Sequence, residues 1–434
     1  METDFAIAAA ASLRLAHPVS GHRNFRNFRV PRQLSRRKWN LAGAGATTLA
    51  VSVAAGLGSP RKAPRQGARA GGAGRAARAF GGQLEEEVAA AAEVVQKALA
   101  LVQALACDMD VAPPSLGKEI EACDVTAGIS TIKPGDSTPV TAADFAIQGL
   151  VSRALKQRFP ADRFMGEEDS KELREDEDLC NLALELCSNF GGSISREEFL
   201  QCVDAGLEAD QGQQRVWVLD PIDGTKGFVT GQGYVIGLSL LADGVPLIGV
   251  MGNPNVQSTP PIMIAVKGQG LRWWPAAGSG PLDFKVVKPD WAEQDFTLPT
   301  DPTDPTDAAA PKEGVDFPPW LLSPQSTRDA CRPFGPRADG SELCCGSMVK
   351  YFAVATGSHC GYVQYEKELK TWDHACGVIC VAESGGAARV TDAEGQEVTF
   401  PGRKFRVAGG IVSCSRWCTP AMRAALMEAC AGNL

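Results

Sequence analysis

The spacing of apolar residues along the chain switches repeatedly between a helical and a strand-like period. In LEEEVAAAAEVVQKALALVQALA, Leu84, Val88, Val95, Leu99 and Val102 recur on one face behind an acidic first turn, which predicts a helix. The segment 128–160 reads as an extended stretch, a turn at Gly135–Asp136 and a helix from about Ala142 to Arg158. A polar, acidic, helix-like insert follows Gly166–Ser170 and runs to about residue 210. Strand patterns then dominate. RVWVLDPIDGT is an apolar strand ending in a loop, and YVIGLSLLADGVPLIGVMGNPN is a hairpin turning at Asp243–Gly244. Residues 275–320 are rich in Pro, Asp and Thr and read as a surface loop. The final third predicts helices at 343–357 and 373–385 between strands at 361–365 and 405–413. Mixed helices and strands over this length predict a layered α/β (α+β) sandwich. The expected division is a leader over 1–80, a metal-binding α+β domain over 81–270, a loop over 271–320 and an α/β domain over 321–434.

Charge changes this picture at the N-terminus. The 434 residues carry 43 Lys and Arg against 51 Asp and Glu, a net charge of −8. The first 80 residues hold 14 of the bases and only Glu2 and Asp4 as acids, so a +12 leader precedes a −20 body. A body this acidic excludes nucleic acid polymer as a general partner, since that needs a basic face against phosphates. The Arg-rich, acid-poor leader reads as an organellar transit peptide, for plastid first and mitochondrion second, with a cytosolic extension as the alternative. Residues 41–58 are apolar but mostly Ala and Gly, so neither a transmembrane helix nor stable membrane association is expected. All 14 cysteines lie in the body without zinc-ribbon spacing, and buried reduced thiols are the expectation.

The candidate chemistry lies in acidic clusters beside turns: Asp136, Glu167–Glu168, Asp220 with Asp223, and Asp373. Each alone also fits an Asx turn or a helix cap. Asp220 and Asp223 leave the end of one apolar strand, where both carboxylates can face one point. Two such charges in a low-dielectric pocket call for a cation between them. Ligands that are all oxygen, without His or Cys, favour Mg²⁺. Gly224 and Thr225 offer backbone N–H groups for a phosphate, and the Thr225 hydroxyl can hold a water. His374, although beside Asp373, is read as a packing residue at a helix start.

The motifs DPIDGT at 220–225, WDHA at 372–375 and GEEDS at 166–170 together resemble the inositol monophosphatase-like superfamily of Mg²⁺-dependent, lithium-sensitive phosphatases. DSTPVTAAD at 136–144 and the long insert are similar to its 3′(2′),5′-bisphosphate nucleotidase branch. The resemblance implies a sugar-phosphatase fold of alternating helix and sheet layers. It also implies two or three Mg²⁺ ions. Glu167, Asp220 and the Ile222 carbonyl would hold one, Asp220, Asp223 and Asp373 a second, and Glu167 would support a third. Asp136 and Thr225 would orient and deprotonate a water attacking phosphorus. The implied substrate is a small phosphorylated nucleotide, adenosine 3′,5′-bisphosphate (PAP) or its sulfated precursor PAPS, with Ser347 and Lys350 as contacts for its second phosphate. Two departures stand out: Gly346 where the branch has Asp, and Gln364 where it has Arg. Arg328, Lys367 or Lys370 are the candidates to replace that charge. Gln364 keeps an inositol or other sugar phosphate open as substrate, and a non-catalytic phosphonucleotide sensor is the third reading.

Overall fold

The computed structural model describes residues 84–108, 131–132, 140–207, 215–230, 233–255, 261–274, 282–283, 288–293, 319–323 and 346–431. The leader, Asp136, Arg328 and most of 271–320 lie outside the described residues.

The first apolar face forms α1 (Glu85–Asp108). It is long and apolar enough to cross a membrane, yet Ala91, Val95, Leu101 and Val102 are buried in the core of this fold. Strands β1 (Thr131–Ile132) and β2 (Val140–Thr141) pair and lead into α2 (Ala142–Arg158), at the bounds the pattern predicts. After β3 (Arg163–Gly166) the acidic insert folds as α3 (Lys171–Glu175), α4 (Glu177–Gly191) and α5 (Arg196–Asp204). Asp176 accepts from the Leu179 N–H and Ser195 from the Glu198 N–H, so both longer helices start on side-chain caps.

Next come β4 (Arg215–Asp223), a short α6 (Thr225–Thr230), β5 (Val235–Ala242), β6 (Val245–Gly252), β7 (Ile262–Val266), β8 (Gly270–Trp274) and β9 (Leu282–Asp283). With β3 they make a seven-stranded sheet in chain order, parallel only at β3–β4. The hairpin between β5 and β6 turns where expected, with Asp243 at φ 49° and Gly244 at φ 76°, the positive pair that a two-residue turn needs.

The C-terminal third contains β10 (Trp320–Ser323), α7 (Ser347–Thr356), β11 (Gly361–Gln364), β12 (Glu368–Lys370), α8 (Thr371–Ala382), β13 (Arg389–Asp392), β14 (Lys404–Arg406), β15 (Ile411–Cys414) and α9 (Pro420–Ala431). β10, β11, β15 and β13 form a four-stranded sheet, and β12 pairs with β14. The single strand expected over 405–413 is therefore two. Gly409 and Gly410, at φ 74° and 126°, break it and send the halves to different sheets.

Strand alternation builds the layers. Trp217, Leu219, Ile236, Leu238 and Ile248 face a core shared with α1, α2, α4 and α5. Val216, Val218, Val235 and Met251 face the opposite way, into a core with α7 and α8. The second sheet repeats this: Leu321, Tyr362 and Ile411 face α7 and α8, while Trp320, Val363 and Val412 face α9. The result is five alternating layers, helix–sheet–helix–sheet–helix, as the resemblance implies. Contact in the middle layer is close. A Cβ at Gly249 would stand 3.1 Å from the Cys376 carbonyl oxygen of α8, and one at Gly377 would run into the Tyr351 ring of α7.

Gly377→Ala should cost about 1–3 kcal/mol by overpacking the α7–α8 contact. Urea unfolding followed by circular dichroism should show a lower midpoint at an unchanged slope.

Candidate metal centre

Two features of the large sheet bring its acids together. The parallel register pairs Gly166 with Leu219, so Glu167 and Asp220 are the next residues of adjacent chains at the same sheet end. Along a regular strand, Asp220 and Asp223 would point to opposite faces, because the side-chain period is two. The pairing shifts here: Asp220 pairs with Gly237 and Asp223 with Val235, leaving Pro221 and Ile222 opposite one residue. This bulge returns both aspartates to the face that meets α7 and α8. Pro221 has no N–H to lose from a ladder, which suits it to that position. The strand thus runs on through the acids rather than ending before them in a loop.

The first turn of α8 supplies Asp373. Carboxylate oxygens of Glu167, Asp220 and Asp373 lie within 4.8 Å of one another. Asp220 is 2% exposed, and its Oδ1 is buried without a hydrogen-bond donor. Burial, then the charges of Glu167, Asp223 and Asp373, pushes the Asp220 carboxyl well above the ordinary range. Burial and the Glu167 and Asp223 charges do the same to Asp373. An orphaned buried oxygen among like charges fits a hard divalent cation, and so does a donor set made only of oxygen. Glu167, Asp220 and Asp373 are the residues able to hold it.

Asp223 sits differently. Its Oδ1 accepts the Ser347 N–H at 3.1 Å and its Oδ2 the Met348 N–H at 2.5 Å, so it caps α7 from a distant segment. Burial pushes its carboxyl up to about 6, against the pull of those amides and of Lys350. Lys350, expected as a phosphate contact, is 5% exposed; its ammonium donates to the Gly346 carbonyl and faces Asp223. Its charge is spent inside the protein. Gly346 explains itself: a Cβ there would stand 2.5 Å from the Asp223 Oδ2 and 2.9 Å from its carbonyl oxygen. The Ser347 hydroxyl is engaged with Tyr362. Thr225 donates from Oγ1 to the Ile222 carbonyl at 3.1 Å, beside Gly224 at φ 95°.

Gln364, at the position where an Arg is expected, is buried. The Tyr362 hydroxyl donates to its Oε1 at 2.8 Å, and its Nε2 donates to Glu366 at 2.9 Å. His374 is core: Nδ1 meets the Tyr351 hydroxyl at 2.9 Å, the ring packs edge-on to Phe405, and burial lowers its pKa to about 3.

Sequence reasoning missed the residues that hold the Glu167 loop. Gln148, fully buried on α2, donates from Nε2 to the carbonyls of Glu168 and Val203, both at 2.7 Å, and accepts the Glu168 N–H. Asp204 accepts the Ser170 N–H at 2.9 Å and its hydroxyl at 2.8 Å. The insert is therefore the fastening of the GEEDS segment. A lone amide amid the apolar positions of α2 was the available signal.

A profile of the inositol monophosphatase family matches residues 84–428. The chain belongs to the inositol monophosphatase family. A rice protein named 3′(2′),5′-bisphosphate nucleotidase is 30% identical over 386 residues, covering 81% of this chain and 96% of its own. A Candida albicans protein named 3′(2′),5′-bisphosphate nucleotidase 1 is 30% identical over 318 residues, covering 67% of this chain and 85% of its own. An Arabidopsis thaliana protein named putative 3′(2′),5′-bisphosphate nucleotidase, mitochondrial, is 31% identical over 320 residues, covering 65% and 75%.

Raised carboxyl pKa values make proton release part of metal binding. An acid whose folded-state pKa is raised adds stability that is complete below its unfolded value and lost as pH rises through the folded value. With Asp223 at about 6, that loss develops from the ordinary carboxylate range to above pH 6. Saturating Mg²⁺ should therefore raise Tm more at about pH 7.5 than at about pH 5, as differential scanning fluorimetry would show.

Proposed function

We propose that this chain is a Mg²⁺-dependent phosphomonoesterase that converts PAP and water to AMP and inorganic phosphate, with PAPS as a second candidate substrate. The observation that carries the reading is the convergence of Glu167, Asp220 and Asp373 from three separate elements, with one Asp220 oxygen buried and unbonded. The names of the rice, Candida and Arabidopsis relatives support the bisphosphate nucleotidase branch. The Arg-rich leader, together with the Arabidopsis relative named as mitochondrial, supports an organellar address.

Two or three Mg²⁺ ions, when bound, would lower the pKa of a water and stabilise the charge that develops on phosphate and leaving oxygen. The chain's own parts do the rest. Glu167, Asp220 and Asp373 supply the anchoring charge, with the Ile222 carbonyl and Asp223 beside them. The α7 N–H groups fix Asp223 and, with the Lys350 charge, pull its carboxyl down against the effect of burial. Thr225, tethered to Ile222, holds a hydroxyl at the same turn; Asp136, outside the described residues, is the acceptor that the family resemblance implies for the proton of the attacking water. The phosphate would lie against the N–H groups following Gly224.

Gln364 favours a second reading. With its amide bonded to Tyr362 and Glu366, the position lacks the cation a second phosphate would use, which suits an inositol phosphate. Purified protein beginning near residue 80 should show a higher kcat/KM for PAP than for inositol 1,4-bisphosphate or inositol 1-phosphate. The reverse order would replace the proposal with the second reading. Asp220→Asn should lower kcat/KM at least about 10³-fold, abolish the Tm rise with Mg²⁺, and raise Tm in chelator by removing one of the mutually repelling charges.

A further inference from the structure

Lys370 closes β12 immediately before α8, and its ammonium stands 3.0 Å from Glu167 Oε1. The charge of Glu167, and beyond it those of Asp373 and Asp220, favour its protonated form against burial. The ammonium also lies 5.6 Å from the centre of the Trp372 ring, whose face carries the Arg403 guanidinium at 4.6 Å. Arg403 in turn donates to the Gly206 carbonyl at the end of the insert. Lys370 thus stands between Glu167 and the Trp372 ring, with its own side chain 43% exposed to solvent. Lys370, a candidate for the cation at the second phosphate, is paired here with Glu167.

We propose that Lys370 is an internal competitor for the metal centre: its ammonium shares Glu167, so that a divalent ion entering the cluster must take this carboxylate from it. This rests on reading Glu167, Asp220 and Asp373 as the divalent-ion site. The physical basis is charge balance. Three carboxylates at this spacing repel one another, and one ammonium offsets part of that repulsion. A divalent ion offsets more of it but gains only the difference, because the pair with Lys370 is lost. Lys370 therefore weakens metal affinity while steadying the carboxylates before the ion arrives. The same residue makes occupancy respond to the free concentration of the ion over a higher range than the bare carboxylates would.

The test is direct metal binding, read without turnover. Mn²⁺ binding to the protein and to Lys370→Met is followed by electron paramagnetic resonance of the free ion. The variant removes the ammonium and keeps an apolar stem beside Trp372. Its Kd for Mn²⁺ should fall about fivefold or more. In thermal melts the variant should be less stable than wild type in chelator and equal to it at saturating Mg²⁺, which also shows that it folds. An unchanged or raised Kd overturns the proposal, since Lys370 would then be a bystander or an aid to Glu167. If neither protein binds Mn²⁺, the reading of the cluster itself falls, and that outcome is separate from any change between the two.

Discussion

Three carboxylates confined within 4.8 Å in a partly buried site are the constraint around which the rest of this structure is arranged. Such a cluster costs free energy unless positive charge or aligned dipoles meet it. Lys370 supplies part of it to the cluster, and α7 and Lys350 supply it to the neighbouring Asp223. The first N–H groups of α7 point at Asp223, Lys350 lies beneath it, and Lys370 caps Glu167. The price is partial, which leaves the centre poised for a divalent ion.

The scaffold answers the same constraint through position. A parallel pair of strands places Glu167 beside Asp220, a bulge turns Asp223 to the same face, and the middle helical layer brings Asp373 across. Small residues on the inner sheet face, such as Gly249, allow α8 to approach closely enough for this. Gln148 on α2 and Asp204 in the insert together anchor the remaining loop.

Much of this was legible in the residues themselves. The periodic stretches marked α1 and α2, the Asp243–Gly244 turn marked the β5–β6 hairpin, and three acidic motifs marked the centre. Their order and spacing sufficed to place the chain in its family. Other features depend on partners far away in the chain. Asp220 and Asp223 share a face only because the pairing slips by one residue, and pairing is invisible in a single strand's pattern. Lys350 reads as a cation available for phosphate, yet a helix start and Asp223 turn it inward. Gln364, by contrast, reads as a lost charge although its partners are local: Tyr362 on the same strand and Glu366 just beyond it. Buried amides such as Gln148 look like ordinary polar interruptions until the carbonyls they serve are known.

The alternating five-layer order has a consequence for how the molecule is made. Its clustered carboxylates come from the residue after β3, from β4 and from α8, so more than two hundred residues separate Glu167 from Asp373. Closing a loop of that size precedes any reward from the contacts it forms, and such long-range pairings are slow. Completing the centre therefore joins two distant parts of the chain. A divalent ion held by all three carboxylates would bind the folded chain and not the unfolded one, and so act as a clasp between segments far apart in the chain.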